Sequence, residues 1–262
     1  MRAAGDDGRS TPPAIRIAGL TGLPEIKEGD DLTALVAAAV ERLRLDVDDG
    51  DVFVVTQKIV SKAEGRVARL EAIEPSPLAR VWAERCGKDP RLVELVLRDS
   101  VRIVRMDGGV LVAETPHGFV CANAGVDSSN VPHGCAARLP LDPDASARRL
   151  AAGLRAALGR RVGVVVSDTF GRPWREGQVN VALGVAGFDA LHDYRGSADT
   201  FGRPLRSTAI AVADELASAA ELVMGKTRGI PAAVVLGARL PPATAEASAR
   251  VLVRSRDRDL FR

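Results

Sequence analysis

The chain has 262 residues, 46% hydrophobic and 27% charged, a globular balance that excludes a wholly disordered polymer. Lys+Arg 36 against Asp+Glu 34 leaves a formal charge of +2, so the basic excess of a nucleic-acid binder is missing. Aromatics at 3% offer few stacking platforms for single strands, and Cys86, Cys121 and Cys135, widely spaced without a CxxC pair, argue against a disulfide framework or structural zinc.

Residues 1–13 are polar and rich in Gly, Pro and Ser, and are expected to form a flexible tail. The first 22 residues lack the apolar stretch of a signal peptide, and no apolar run approaches the ~18–20 residues that cross a bilayer. The expectation is a cytoplasmic protein without membrane partners. Residues 15–17 read as a short strand. Asp30 or Asp31 is placed to cap a helix carrying Leu32, Leu35, Val36, Ala39, Val40 and Leu43. Asp49-Gly50-Asp51 is a turn, and the apolar run 52–55 reads as a strand buried on both faces. Residues 75–83 and 90–97 read as helices. Residues 101–104, 110–113 and 119–121 read as three short strands, joined by Asp107-Gly108-Gly109 and Pro116-His117-Gly118. Asp142-Pro143-Asp144 opens a helix to Leu158, with Leu150, Leu154 and Leu158 on one stripe. Residues 162–166 are a second buried strand, 209–212 a third leading into a helix over 214–223, and 232–236 a fourth. Hairpins beside alternating units predict an α+β class with mixed sheets and flanking helices. The expected division is a catalytic domain over 14–245 and a C-terminal segment over 246–262.

Four segments place polar or glycine-rich residues next to these elements. Thr56-Gln57-Lys58-Ile59-Val60-Ser61-Lys62, if extended, projects Lys58 and Lys62 to one face, either to meet a polyphosphate or as solvated lysines of an edge strand. In Asn123-Ala124-Gly125-Val126-Asp127-Ser128-Ser129-Asn130, Asp127 can supply a hard oxygen ligand and Asn130 can bond phosphate or base. The alternative there is an Asx-turn closed on its own backbone. In Ser167-Asp168-Thr169-Phe170-Gly171-Arg172, an aspartate ending an apolar strand is costly to bury unless paired or metal-bound, and Asp168 with the Thr169 hydroxyl suits Mg²⁺ or Mn²⁺. A helix N-cap is the competing reading, opposed by Gly171 and Pro173. Arg172 and Arg175 are candidate clamps for phosphate or carboxylate. Met224-Gly225-Lys226-Thr227-Arg228-Gly229 contains Gly-Lys-Thr, but Ala220 stands at the first glycine position of a P-loop and the segment follows a helix instead of opening one. It is a basic loop able to touch phosphates or a plain helix C-cap with Gly225. His133-Gly134-Cys135 lacks an orienting partner for a thiol nucleophile, and His117 and His192 stand alone.

Six blocks, GLPEIKEGDDL (22–32), VSKAEGR (60–66), NAGVDSSNV (123–131), LDPDASA (141–147), SDTFGRPWREGQ (167–178) and VADELASAAELVMGK (212–226), resemble in order and spacing the coenzyme F420-0:L-glutamate ligase family, also called F420 γ-glutamyl ligase, from Ile15 to Gly237. The resemblance implies the family's own fold of two interlocked lobes and an intertwined homodimer. It implies a GTP-dependent ligase that adds L-glutamate to F420-0 through an amide and then, on F420-1, another through a γ-linkage. Two divalent cations, Mn²⁺ or Mg²⁺, and stimulation by K⁺ are part of that expectation.

Carried over by motif, Asp127 and Asp168 resemble ligands of one metal and Thr169 a ligand of the second. Leu23, Pro24, Glu25, Ile26, Gln57, Lys58, Lys62, Asn130 and the loop Met224, Gly225, Lys226, Thr227, Arg228 and Gly229 resemble guanine-nucleotide contacts. Archaeal members carry a Gly-Glu-Gly-Gly-like loop whose Glu helps hold the second metal. Lys226 stands there in this chain, so either the second metal site is lost or the lysine meets phosphate itself. Actinobacterial two-domain members share the Gly-Lys pair and continue into a flavin-binding nitroreductase-like domain; the single-domain form is expected here. An acyl phosphate made from the GTP γ-phosphoryl would activate the F420-0 carboxylate for attack by the glutamate amine, with cations offsetting the repulsion between two anions. A non-catalytic nucleotide- or anion-binding module and a metal-dependent phosphohydrolase are the alternatives.

Overall fold

Val52, Phe53, Val54 and Val55 are fully buried because their strand runs through the middle of a five-stranded sheet with helices on both faces. The computed structural model describes residues 13–238, 240, 242–243 and 247–259. The tail expected over 1–13, apart from Pro13, lies outside the described residues, as do the expected boundary at 245/246 and the last three residues of the C-terminal segment.

The elements in chain order are β1 (Arg16–Gly19), α1 (Leu32–Arg42), β2 (Val52–Thr56), α2 (Gln57–Ala63), β3 (Val67–Arg69), α3 (Pro77–Cys86) and α4 (Pro90–Arg98). Then come β4 (Arg102–Asp107), β5 (Val110–Glu114), β6 (Val120–Ala122), β7 (Cys135–Ala137) and α5 (Pro143–Leu158). β8 (Gly163–Arg172), β9 (Arg175–Ala186), β10 (His192–Asp193), β11 (Ala209–Ile210), α6 (Val212–Met224) and β12 (Ala232–Leu236) complete the series. The main sheet has the order β1-β12-β2-β8-β9; β2 and β8 run parallel and the other neighbours antiparallel.

On one face Val36, Val40, Leu150 and Leu154 of α1 and α5 pack on Phe53, Val55, Val164 and Val166. On the other, Leu216, Ala217, Ala220 and Met224 of α6 pack on Val52, Val54, Val165 and Val235. Each such Val or Leu contributes about 1.5–3 kcal/mol when removed from water. A second lobe has its own core of Trp82, Val93, Leu95, Val96, Leu111 and Ala113, formed by α3, α4 and the sheet β4-β5-β6. The class is therefore α+β with mixed sheets and flanking helices, as the sequence predicts. The helix starts are set by side-chain caps: Asp31 for α1, Ser76 for α3, Asp89 for α4 and Asp142 for α5.

Three expectations are corrected. Residues 57–63 form the helix α2 and not an extended segment; Lys58 and Lys62 still share a side because they are four apart on a helix. The strand expected to end at 166 continues to Arg172, since β9 folds back on it as a long hairpin with a bulge at Val166/Ser167. The strand expected over 209–212 is only the two residues of β11, paired with β10 outside the main sheet. β9, an edge strand, is closed by neighbouring helices: Asp144 of α5 accepts from the Val185 N–H at 2.9 Å and Asp214 of α6 from the Ala182 N–H at 2.8 Å.

Candidate active site

The parallel strands β2 and β8 end side by side, and open sheets present functional groups beyond the carboxyl ends of such strands. There α2, the extended part of β8, the loop before β7 and the loop after α6 surround a cavity of about 400 Å³.

Asp127 arrives from the second lobe. It follows a short turn, Asn123–Gly125, in which Asn123, Ala124 and Gly125 have φ of 53°, 50° and 74°. Two of these are non-glycine residues in the left-handed region, a local strain of about 1–3 kcal/mol each that the surrounding packing must hold. The Asx-turn reading holds: Asp127 Oδ1 accepts from the Ser129 N–H at 2.8 Å and Oδ2 from Ser129 Oγ at 2.7 Å. Asp127 also faces the cavity, where it pairs with the ammonium of Lys58, so its turn geometry and a place at the cavity wall coexist. Lys58 Nζ donates further to the Ser129 carbonyl at 2.7 Å and Ser129 Oγ at 2.9 Å. Burial opposes ionisation of Asp127, but the hydrogen bonds from Lys58 and Ser129 outweigh it and hold the carboxyl below the usual range.

Asp168 reaches the same cavity from β8. Burial pushes its carboxyl up to about 6, with the Asp127 charge adding to the rise and the Thr169 N–H, Lys226 and Lys58 opposing it. Cys121, beneath, has a thiol pushed up to about 12 by burial and then by the Asp168 charge, which makes it a packing residue and not a nucleophile at neutral pH. On the α6 side, the Thr169 hydroxyl meets Asn180 Oδ1 at 2.6 Å and the Lys226 ammonium, and Asn180 Nδ2 donates to Glu221 Oε2 at 3.0 Å.

Asp127, Asp168 and the Thr169 hydroxyl thus supply hard oxygen atoms in one cavity. Among the described residues no group of three or more His, Cys, Asp or Glu gathers to cage an ion. Mg²⁺ and Mn²⁺ typically take one or two carboxylates and complete their shell with waters and substrate phosphates, so this donor set fits such an ion. Asp168 is buried at the cavity wall, and among the described residues no cationic side chain hydrogen-bonds its carboxyl.

Leu23, Pro24, Glu25, Ile26, Lys58, Lys62, Asn130, Gly225, Lys226, Thr227 and Gly229 all line the cavity. Three other residues carried over by resemblance do not. Gln57 is 1% exposed and its Oε1 accepts from Ser61 Oγ at 2.8 Å within α2. Met224 is fully buried in the core under the sheet. Arg228 folds back on α6, donating to the Leu222 carbonyl at 3.3 Å, and the cap reading holds at Gly225, the C-cap of α6, whose N–H bonds the Glu221 carbonyl. Arg172 and Arg175 do not line this cavity; they flank the tip of the β8–β9 hairpin, where Arg172 bonds the Glu176 carbonyl at 2.8 Å and Trp174 is 85% exposed. Ser167, Asn180 and Glu221, to which residue chemistry alone assigns no role, also line the cavity. A signal for Glu221 existed: Asp214, Ser218 and Glu221 recur at helical spacing on the face of α6 that meets β9. Lys62 pairs with Glu25 at a wall shared with a second cavity of about 850 Å³. His117 binds the Pro140 carbonyl at 2.9 Å, and His192 stacks on Tyr194. Among the described residues, no helix is long and apolar enough to cross a membrane.

Residues 21–237 match the family model described as F420-0:Gamma-glutamyl ligase. The chain is 47% identical over 249 residues to the coenzyme F420:L-glutamate ligase of Methanothermobacter thermautotrophicus, covering 95% of this chain and 99% of that protein. The proteins of the same name from Methanopyrus kandleri and Methanocaldococcus jannaschii are 46% and 41% identical, each over 95% of this chain and 98% and 97% of their own length.

Proposed function

We propose, for a chain that belongs to the F420-0:Gamma-glutamyl ligase family and is a ligase, a GTP-dependent addition of L-glutamate to coenzyme F420-0, and then to F420-1, through an acyl phosphate. Glutamate ligation in coenzyme F420 biosynthesis is the activity its relatives' names carry. The observation that supports the nucleotide part is the convergence of Asp127 and Asp168, 41 residues apart and from different lobes, on one cavity with Lys58, Lys62 and Lys226.

A carboxylate of F420-0 attacks the γ-phosphorus of GTP; the bond to the β-phosphate oxygen breaks and GDP leaves. The glutamate amine, having lost a proton to solvent, attacks the acyl carbon. The amide forms as the nitrogen gives up a second proton to phosphate or solvent, and inorganic phosphate departs with the electron pair of the broken C–O bond. Lys58 and Lys62, on one side of α2, and Lys226, on the loop after α6, hold positive charge where two anions must meet. Asp127 and Asp168 would hold one Mn²⁺ or Mg²⁺, and Thr169 would serve a second. Bound there, a dication supplies charge that offsets the repulsion of triphosphate and acceptor. Leu23 to Ile26 and Asn130 enclose the rest of the nucleotide. Stimulation by K⁺ and assembly as a homodimer belong to the same reading.

The test is to incubate the protein with GTP, Mn²⁺, L-glutamate and F420-0 and record product mass. An increase of one and then two glutamyl units, dependent on GTP, is the expected result. GTP loss without a glutamyl product identifies a hydrolase, and nucleotide binding without either change identifies a binding module.

A further inference from the structure

The hydrogen bonds that run from α6 to the cavity can point in only one direction. Glu221, as a carboxylate, only accepts, so the side-chain nitrogen of Asn180 must be the atom 3.0 Å from it. That places Asn180 Oδ1 against Thr169, and an amide oxygen only accepts, so the Thr169 hydroxyl spends its single proton on Asn180 at 2.6 Å. The lone pairs of Thr169 Oγ1 are then left for a donor or a cation, and Lys226, whose ammonium only donates, occupies that position. Asn180 is 2% exposed, pairs directly with Thr169 across β8 and β9, and has its backbone carbonyl tied to Ser218 Oγ at 2.7 Å, so the amide is held in place by three elements.

We infer that Asn180 and Glu221 are positioning residues that fix the Thr169 hydroxyl as an acceptor toward the cavity, the state in which its oxygen can take a cation beside the triphosphate. The inference rests on the nucleotide and cation reading of the cavity given above. Without Asn180 the hydroxyl proton loses its fixed acceptor, and only Lys226 is left to orient the lone pairs of Thr169 Oγ1. Groups that orient a ligating atom in this way are typically worth about 10–100-fold in metal affinity or activity.

The experiment is a double-mutant cycle on Thr169→Val and Asn180→Ala, read by Mn²⁺ affinity from titration of the protein with the metal alone and, separately, by kcat for ligation. Each single variant is expected to weaken Mn²⁺ binding and lower kcat by about 10–100-fold. Asn180→Ala made in the Thr169→Val background is expected to add almost nothing, since Asn180 acts through the hydroxyl. Thr169→Ser, which keeps the hydroxyl, is expected to restore both quantities. Glu221→Gln, at a side chain facing the cavity, covers the case in which Asn180→Ala does not fold; its amide can offer a donor as well as an acceptor, so a several-fold loss of Mn²⁺ affinity is expected. Full additivity of the two losses overturns the inference, and so does unchanged Mn²⁺ affinity in Asn180→Ala or, if that variant fails to fold, in Glu221→Gln. A wild-type protein that binds Mn²⁺ but forms no glutamyl product would instead count against the functional reading, with the cycle still readable from the metal titration.

Discussion

Asp168 carries a cost that the proposed dication would offset. Its folded carboxyl lies near 6 against an ordinary 3.8, so between those values the folded chain binds more protons than the unfolded one. Stability contributed by this group is therefore greatest at low pH and declines as pH rises from about 4 to about 7, by about 1–3 kcal/mol. Thermal unfolding of the metal-free protein and of Asp168→Asn across that range checks this. The difference in midpoint, Asn above Asp, should grow with pH, while glutamyl transfer by the Asn variant falls at least about 100-fold. A midpoint for Asp168→Asn below wild type at pH 7 would mean the carboxylate is a structural partner instead. Asp127 behaves in the opposite sense: held ionised by Lys58 and Ser129, it remains charged well below neutrality. Cys121, its thiol raised to about 12 and its side chain buried, should resist alkylation at pH 7 in the native protein and react only on unfolding, as mass spectrometry after iodoacetamide would record.

Helices with marked caps and stripes were readable from residues alone: Asp31 and Asp142 begin α1 and α5 where a side-chain oxygen precedes an apolar period. The valine runs of β2 and β8 and the Ala-Val-Leu run of β12 were equally legible, because a strand buried on both faces needs no polar alternation. β9 was not, since Arg175, Glu176, Gly177 and Gln178 at its start are exposed and carry no strand pattern; only pairing with β8 makes them extended. α2 carries no clear helical signal, because seven residues supply too few turns to show a period and Thr56 caps it without a side-chain bond. At the site, Asp127 and Asp168 stood out by chemistry, whereas Asn180 enters only through its register opposite Thr169. Gly184 of β9 shows what that register demands. A Cβ there would stand 2.1 Å from the Pro143 carbonyl oxygen at the start of α5. Gly184→Ala should therefore lower the urea midpoint by the equivalent of about 1–3 kcal/mol or more, and a midpoint within error of wild type would show that α5 can retreat freely.

The cavity lies where two separately cored lobes meet, with Asp127 contributed by one and Asp168 by the other. A ligand that bonds both aspartates ties the lobes together, so GTP and Mn²⁺ added jointly should raise the melting temperature by more than the sum of their separate effects. Simple additivity would indicate independent sites. In the proposed function these two carboxylates grip a single dication at the triphosphate, and Mn²⁺ affinity in the presence of a non-hydrolysable GTP analogue, measured for wild type, Asp127→Asn, Asp168→Asn and the double variant, reads that grip. Each single variant should bind at least about 10-fold more weakly, and the double variant should lose clearly less than the product of the two losses, because either substitution already breaks the shared site. Wild-type affinity in either single variant, or two losses that simply multiply, would show that the two aspartates do not share an ion.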